Sequence, residues 1–164
     1  MIVMNEKVQT MLADQVNKEF YSAYLYLYIS NYYRDCHLDG FAHWFFQQAK
    51  EEQDHAVRIM NYLQDNDVSV PLTGIAAPEQ TFTDHRAPLQ AALAHEQLVT
   101  GLIHALYTTA SEAQDYRTCN FLDWFVSEQG EEEKSTRELL KKYDLYGQDA
   151  RALYLLNAEL KSRT

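Results

Sequence analysis

The amino-acid sequence predicts an all-α protein: an antiparallel four-helix bundle followed by a short fifth helix. The 164 residues include only five glycines and three prolines, the residues that most often interrupt helices. Apolar residues recur every three or four positions in four long segments, which is typical of amphipathic helices. We expect one domain over residues 1–164, with the bundle over about 5–143 and the fifth helix over about 148–162.

The first two predicted helices form a hairpin. The first helix runs from about Asn5, a residue type favoured at helix N-caps, to about Arg34. The second follows from about Asp39 to Asp65. The link between these two long helices is so short that they must be antiparallel neighbours.

A long link connects the second helix to the third. Residues 67–83 contain Pro71, Gly74 and Pro78, which break the helical pattern. An extended chain of this length reaches at most about 56 Å, and a helix as long as the second one measures about 40 Å. The link can therefore cross the whole bundle and make the third helix parallel to the second.

The third and fourth predicted helices form a second hairpin. The third begins near Asp84 and ends at about Glu112, and Pro88 is tolerated because it lies in or next to the first turn. The fourth helix covers about 116–142. Gly147 then marks a break before the fifth helix.

Composition excludes several classes of function. A net charge of −10 and a pI near 4.9 argue against binding to nucleic acid or to an anionic membrane, and they favour cations. Cys36 and Cys119 form no CxxC pair, which excludes a rubredoxin-like or zinc-ribbon site and favours a reducing cytoplasm. We expect no signal peptide, and the apolar stretch 20–30 is too short and tyrosine-rich to span a membrane.

A metal-competent group interrupts the apolar stripe of each long helix. Glu52 and His55 lie three residues apart and project from the same face as Ala49 and Ile59. A buried carboxylate is very costly unless something pairs with it, and the neighbouring stripe positions contain no Lys or Arg. We therefore expect a metal ion. The groups placed in this way are Glu19; Glu52 with His55; Glu96; and Gln129 with Glu132.

This ligand set favours iron or manganese. Oxygen-rich ligands with a single imidazole suit iron or manganese, whereas zinc sites usually contain more nitrogen or sulfur. Glu52 would lie between two metal positions and could bridge them, as in four-helix carboxylate sites. The alternative is that these side chains are unrelated core polar groups, but four coordinated cases in one short chain argue against it.

Four motifs, in order, resemble those of bacterial non-haem ferritin. They are NKEFYSAYLY, AKEEQDHAVR, AHEQLVT and SEQGEEEK, one in each long helix. The long link and the short fifth helix match as well, so the resemblance covers essentially the whole chain. It implies a cytoplasmic, hollow shell of 24 subunits. Ferrous iron would be oxidised by dioxygen or peroxide at a di-iron ferroxidase centre within each subunit and stored as ferric mineral.

The resemblance also implies three iron positions in each subunit. The ligands of the first iron would be Glu19, Glu52 and His55. Those of the second would be Glu52, Glu96 and Glu132, with Gln129 beside them. Those of a third, inward iron would be Glu51, Glu128, Glu131 and Glu132.

Two of these assignments have a second interpretation. From the residues alone, Glu51, Glu128 and Glu131 would belong to a solvated acidic face. Tyr26 matches the tyrosine that donates an electron beside the centre, but it fits equally a core aromatic hydrogen-bonded to a carboxylate.

Departures from related patterns narrow the subfamily. Bacterioferritin and the di-iron oxygenases have Glu-x-x-His on two helices, whereas the fourth helix here offers Gln129 and Glu132 without a histidine. Gln53 stands where bacterioferritin has its haem-binding methionine, so we expect no haem. DNA-protecting mini-ferritins fit poorly because they place their ligands at a subunit interface. Two rivals remain: a di-iron oxidase or oxygenase acting on an organic substrate, and a non-catalytic storage shell.

Overall fold

A computed structural model describes residues 3–164 as helices and connecting segments, without a strand in that range. The helices are α1 (Glu6–Asp35), α2 (Asp39–Asp65), α3 (Ala87–Glu112), α4 (Tyr116–Tyr146) and α5 (Ala150–Leu160). The predicted all-α bundle with a short fifth helix is confirmed. None of these helices is long and apolar enough to cross a membrane.

Two predicted helix ends were wrong. The third helix was expected from Asp84, but α3 begins at Ala87 because the Asp84 carboxylate accepts hydrogen bonds from the backbone N–H groups of Arg86 and Ala87. The fourth helix was expected to end at Lys142, but α4 continues to Tyr146. Its last turns stay helical because Tyr143 is buried in the core.

Hydrogen bonds fix the direction of the long link. Asn17 Nδ2 donates to the carbonyl oxygen of Pro71 at 2.9 Å, and the Tyr33 hydroxyl donates to that of His85 at 2.7 Å. The link therefore follows α1 from near its middle to near its end. As a result α3 starts beside the end of α1 and runs antiparallel to it, hence parallel to α2, as predicted.

The core consists of two apolar clusters with a polar layer between them. The first cluster includes Tyr26, Ile29, Tyr33, Phe41, Phe45 and Leu89. The second includes Val8, Leu12, Val16, Ile59, Leu63, Ile103 and Leu106. On α2, Ala49 belongs to the first cluster and Ala56 to the second, and Glu52 and His55 lie between them. On each of the four long helices the polar groups lie between residues of the two clusters. They therefore meet at one level of the bundle.

The short helix α5 is attached to the start of α2. Leu38, the N-cap residue of α2, makes no side-chain capping bond. Instead Asn157 Oδ1 accepts hydrogen bonds from the backbone N–H groups of Gly40 at 2.8 Å and Phe41 at 3.3 Å. The approach requires glycine, because a Cβ at Gly40 would lie 1.7 Å from the Asn157 carbonyl oxygen. This attachment brings the residues that follow α5 close to α2.

Candidate metal centre

Four carboxylates and one imidazole form the polar layer of the bundle. Glu19, Glu52 and Glu96 are each 1% exposed, and His55 and Glu132 are each 4% exposed. Their ligand atoms form two groups in which all atoms lie within 4.8 Å of one another. The first group is Glu19, Glu52 and His55, and the second is Glu52, Glu96 and Glu132. Because Glu52 belongs to both, the arrangement offers two adjacent metal positions with a shared carboxylate.

Two oxygens of this layer lack a partner. Glu19 Oε1 accepts a hydrogen bond from Gln15 Nε2 at 2.8 Å, but Glu19 Oε2 has no partner. Glu132 Oε1 is the other buried side-chain atom without a partner in the part of the chain that the structure describes. An unpaired buried acceptor is costly, and a carboxylate can be satisfied by a cation as well as by a donor. Metal ions held by the two groups would be the missing positively charged partners of these two oxygens.

Neutral side chains orient the second group. The Tyr26 hydroxyl donates to Glu96 Oε1, and Gln129 Nε2 donates to Glu96 Oε2 at 3.2 Å. In this arrangement Gln129 acts on the second position through Glu96. Gln48 Nε2 donates to Glu132 Oε2 at 2.5 Å and to Glu52 Oε1 at 3.3 Å. Gln48 was not among the residues predicted from the sequence, although its position four residues before Glu52 on one helix face indicates it.

Burial and mutual repulsion shift the acid–base behaviour of the carboxylates. Burial raises the pKa of Glu52 well above its ordinary value, and the charges of Glu96 and Glu19 raise it further. Burial raises the pKa of Glu96 to about 7, against the opposing hydrogen bonds from Tyr26 and Gln129. Burial, then the charge of Glu96, raises the pKa of Glu132 to about 8. The metal-free centre therefore holds protons near neutral pH, and metal binding must displace them.

The residues of the expected third iron position are only partly together. His55, Glu128 and Glu132 form a further group with ligand atoms within 4.8 Å of one another. Glu131 is exposed and lies outside the metal-competent groups found in residues 3–164. Glu51 Oε2 accepts a hydrogen bond from Arg163 at 3.0 Å. An open groove of about 440 Å³, lined by Glu51, His55 and Glu128 among others, connects this region to the surface.

Other polar side chains near the layer are held by local contacts. His95 lies against Ser22 Oγ at 2.7 Å, and burial lowers the pKa of this imidazole to about 4, which keeps it neutral. The Trp124 ring packs against the His55 ring with a centroid distance of 5.4 Å. The guanidinium of Arg58 lies 3.9 Å from the centroid of the Trp124 ring. Trp124 therefore restricts how His55 can be oriented, and Arg58 packs on the Trp124 ring.

Comparison with known proteins identifies the family. The ferritin family profile, described as a ferritin-like domain, matches residues 9–146. The chain belongs to the ferritin family. Together with the relatives described next, this match confirms the resemblance to bacterial non-haem ferritin inferred from the four motifs.

Relatives cover nearly the whole chain. A bacterial non-heme ferritin of Campylobacter jejuni is 37% identical over 160 residues, which cover 98% of this chain and 96% of the relative. A bacterial non-heme ferritin of Staphylococcus saprophyticus is 35% identical over 162 residues, covering 99% of this chain and 97% of the relative. The open-pore ferritin of the archaeon Archaeoglobus fulgidus is 37% identical, with a TM-score of 0.96 and coverage of 98% of this chain and 99% of that one. The ferritin fold therefore extends from end to end.

Proposed function

We propose that this protein is a ferroxidase that oxidises ferrous iron and stores the ferric product. Two ferrous ions bind in each subunit, one at Glu19, Glu52 and His55 and the other at Glu52, Glu96 and Glu132. The observation that carries the proposal is the shared Glu52 between two buried ligand groups, in a layer with two unpartnered carboxylate oxygens. Membership of the ferritin family supports the same conclusion.

The chemistry of the ligands fits oxidation of iron. Two ferrous ions together supply the two electrons that reduce dioxygen to the level of peroxide. Carboxylates are hard oxygen ligands, so they stabilise the ferric product more than the ferrous substrate. As the ions bind, the protons held by Glu52, Glu96 and Glu132 leave, and the buried charges are paired.

Tyr26 lies one hydrogen bond from the second position. Its hydroxyl donates to Glu96, and burial raises the pKa of the phenol well above its ordinary value, so the phenol keeps its proton. In the metal-free centre it orients the Glu96 carboxylate. With iron bound to Glu96, the same contact is a path by which the phenol can supply an electron.

The subunits assemble into a hollow shell of 24 copies that works in the cytoplasm. Relatives of similar length are ferritins, and one solved structure describes an open-pore ferritin. The isolated subunit also exposes large apolar side chains that assembly would cover, including Leu72, Leu98, Tyr116, Tyr154 and Leu155. Ferric product leaving the centre would collect inside this shell.

The two rival functions fit less well. A di-iron oxidase or oxygenase of an organic substrate usually has a second Glu-x-x-His, and α4 offers Gln129 and Glu132 instead. The groove beside His55 is open and carries the carboxylates of Glu51 and Glu128, which suits a cation better than an organic molecule. A non-catalytic shell would not need this complete ligand set.

Anaerobic titration with ferrous iron tests the proposal. We expect saturation at two tightly bound ions per subunit, with weaker binding beyond them, then rapid formation of ferric absorbance on exposure to oxygen. Further iron should load into a large particle. Tight binding of two ions without further loading, in a small oligomer, would instead indicate an oxidase with a resident di-iron cofactor. A Glu52→Ala shell that oxidises iron at the native rate would contradict the assigned centre.

A further inference from the structure

Arg163 lies after the end of α5, and its side chain extends back to α2. Its Nη1 donates to the carbonyl oxygen of Trp44 at 2.9 Å, and its guanidinium lies 4.2 Å from the centroid of the Trp44 ring. Its Nη2 donates to Gln48 Oε1 at 2.9 Å and to Glu51 Oε2 at 3.0 Å. The carbonyl oxygen of Arg163 also contacts His43 Nε2 at 2.5 Å. The guanidinium is therefore held by several groups of one helix.

These contacts connect Arg163 to the metal centre through Gln48. Because Gln48 Oε1 accepts from Arg163, the amide nitrogen of Gln48 faces the opposite way and donates to Glu52 and Glu132. Arg163 thus fixes the amide that bridges two ligand carboxylates. It also neutralises Glu51, one of the glutamates matched to the third iron position.

A guanidinium and an iron ion compete for Glu51. Both need the same carboxylate, and two cations in contact repel. The ion pair can open, because 20% of the Arg163 side chain and 41% of the Glu51 side chain are exposed, and such partly solvated pairs are weak. Arg163 also follows the last residue of α5, Leu160, so it can leave without unfolding that helix.

We propose that Arg163 is a latch on the inward iron route: docked on Glu51 it keeps the third position closed, and it must leave before Glu51 can bind iron. The inference rests on the proposed function, since it needs iron to pass inward from the two buried positions. When iron binds Glu52 and Glu132, their oxygens would no longer accept hydrogen bonds from Gln48. Gln48 would then hold Arg163 less firmly, and the latch would open more easily.

The test is a metal titration of five proteins: the parent, Arg163→Ala, Arg151→Ala, Glu51→Gln, and Glu51→Gln combined with Arg163→Ala. Arg151 is exposed on α5 and makes no side-chain hydrogen bond within residues 3–164, so its removal is the matched change of charge. In anaerobic ferrous titrations, Arg163→Ala should bind the third equivalent about tenfold more tightly than either the parent or Arg151→Ala. The first two equivalents should keep their stoichiometry.

A double substitution separates the latch from a general charge effect. In the Glu51→Gln background, adding Arg163→Ala should leave affinity for the third equivalent unchanged, because the carboxylate that the latch covers is gone. Equal affinities of Arg163→Ala and Arg151→Ala would overturn the proposal. So would a gain from Arg163→Ala that persists in the Glu51→Gln background. If the parent fails to bind two ions, the proposed function fails instead, which is a different result.

Trp44 gives a second readout that does not depend on oxidation. In a Trp124→Phe protein the tryptophan fluorescence comes from Trp44 alone, the ring on which Arg163 rests. Titration with Zn²⁺, which is redox-inert, should change this fluorescence at the third equivalent, and the additional Arg163→Ala substitution should abolish the change. A fluorescence change that is complete with the first two equivalents, or that survives Arg163→Ala, would contradict the latch.

Discussion

Replacing Glu132 by glutamine should stabilise the metal-free protein and weaken its binding of iron. Glu132 is 4% exposed, its Oε1 has no partner, and burial together with the charge of Glu96 raises its pKa to about 8. Glutamine has nearly the same shape and carries no charge. The same substitution removes one of the ligands proposed for the second iron position. The two effects have opposite signs, which distinguishes them from a general disruption of the fold.

The size of the stability effect follows from the pKa. In the unfolded chain the carboxyl has its ordinary pKa of 4.5, and in the folded chain the pKa is about 8. A raised pKa leaves stability complete below pH 4.5 and reduces it as the pH rises toward 8. At about 1.4 kcal/mol for each pH unit above the unfolded pKa, the Glu132 carboxyl lowers the free energy of unfolding at pH 7 by about 3 kcal/mol. For a chain of this size that corresponds to a melting temperature about 6–12 °C higher in Glu132→Gln.

Thermal unfolding of chelator-treated protein measures the effect. Glu138→Gln is the matched control, since Glu138 is an exposed carboxylate on the same helix. We expect Glu132→Gln to melt at a higher temperature than this control at pH 7 to 8.5. The difference should disappear near pH 4.5, where a glutamate carboxyl with its ordinary pKa is half protonated. A Glu132→Gln protein that melts no higher than Glu138→Gln at pH 8.5 would refute the reasoning. Native binding of two ferrous ions by Glu132→Gln would refute the ligand assignment.

Four further outcomes test the centre and its support. Glu52→Gln should lower the metal affinity of both positions at least 100-fold, because replacing a residue that only hydrogen-bonds to a ligand already lowers metal affinity about 10- to 100-fold. An anaerobic titration that still shows two tightly bound equivalents would contradict this. Metal binding should release protons, and metal affinity should fall as the pH falls from about 8 to 6, since the pKa values of Glu96 and Glu132 are raised to about 7 and 8. A pH indicator in weak buffer measures the proton release. Tyr26→Phe should keep two equivalents but bind iron several-fold more weakly at pH 6.5, because the lost hydrogen bond had lowered the pKa of Glu96. Asn157→Ala should lower stability by about 1–2 kcal/mol in thermal melts without changing metal stoichiometry, because it removes the cap of α2.

The fold was predictable because each long helix repeats one pattern many times. A stripe of apolar residues specifies the buried face, and a single carboxylate that interrupts it is visible against that background. The ends of helices were less predictable, since each depends on a few contacts. The start of α3 depends on which backbone groups Asp84 caps, and the end of α4 depends on the burial of Tyr143.

Contacts to the chain terminus could not be predicted from periodicity. Gln48 shares a helix face with Glu52, so its role follows a spacing that the sequence displays. Arg163 has no such relation to Glu51, because α5 must first dock through Asn157 before the terminal residues reach α2. Along the helices themselves, no Lys or Arg occupies the stripe positions next to the ligand carboxylates. A cation supplied by a distant part of the chain leaves no trace in the periodicity.

The metal-free centre thus balances its negative charge in two different ways. At Glu96 and Glu132 protons provide the balance, and these leave as the pH rises through about 7 and 8. At Glu51 the balance comes from a guanidinium, which keeps its charge at every pH at which the protein is folded. In the proposed mechanism, iron displaces protons to enter the first two positions and displaces the Arg163 side chain to reach the third. It follows that pH should control filling of the buried pair, whereas ionic strength, which screens a partly exposed ion pair, should control passage beyond it.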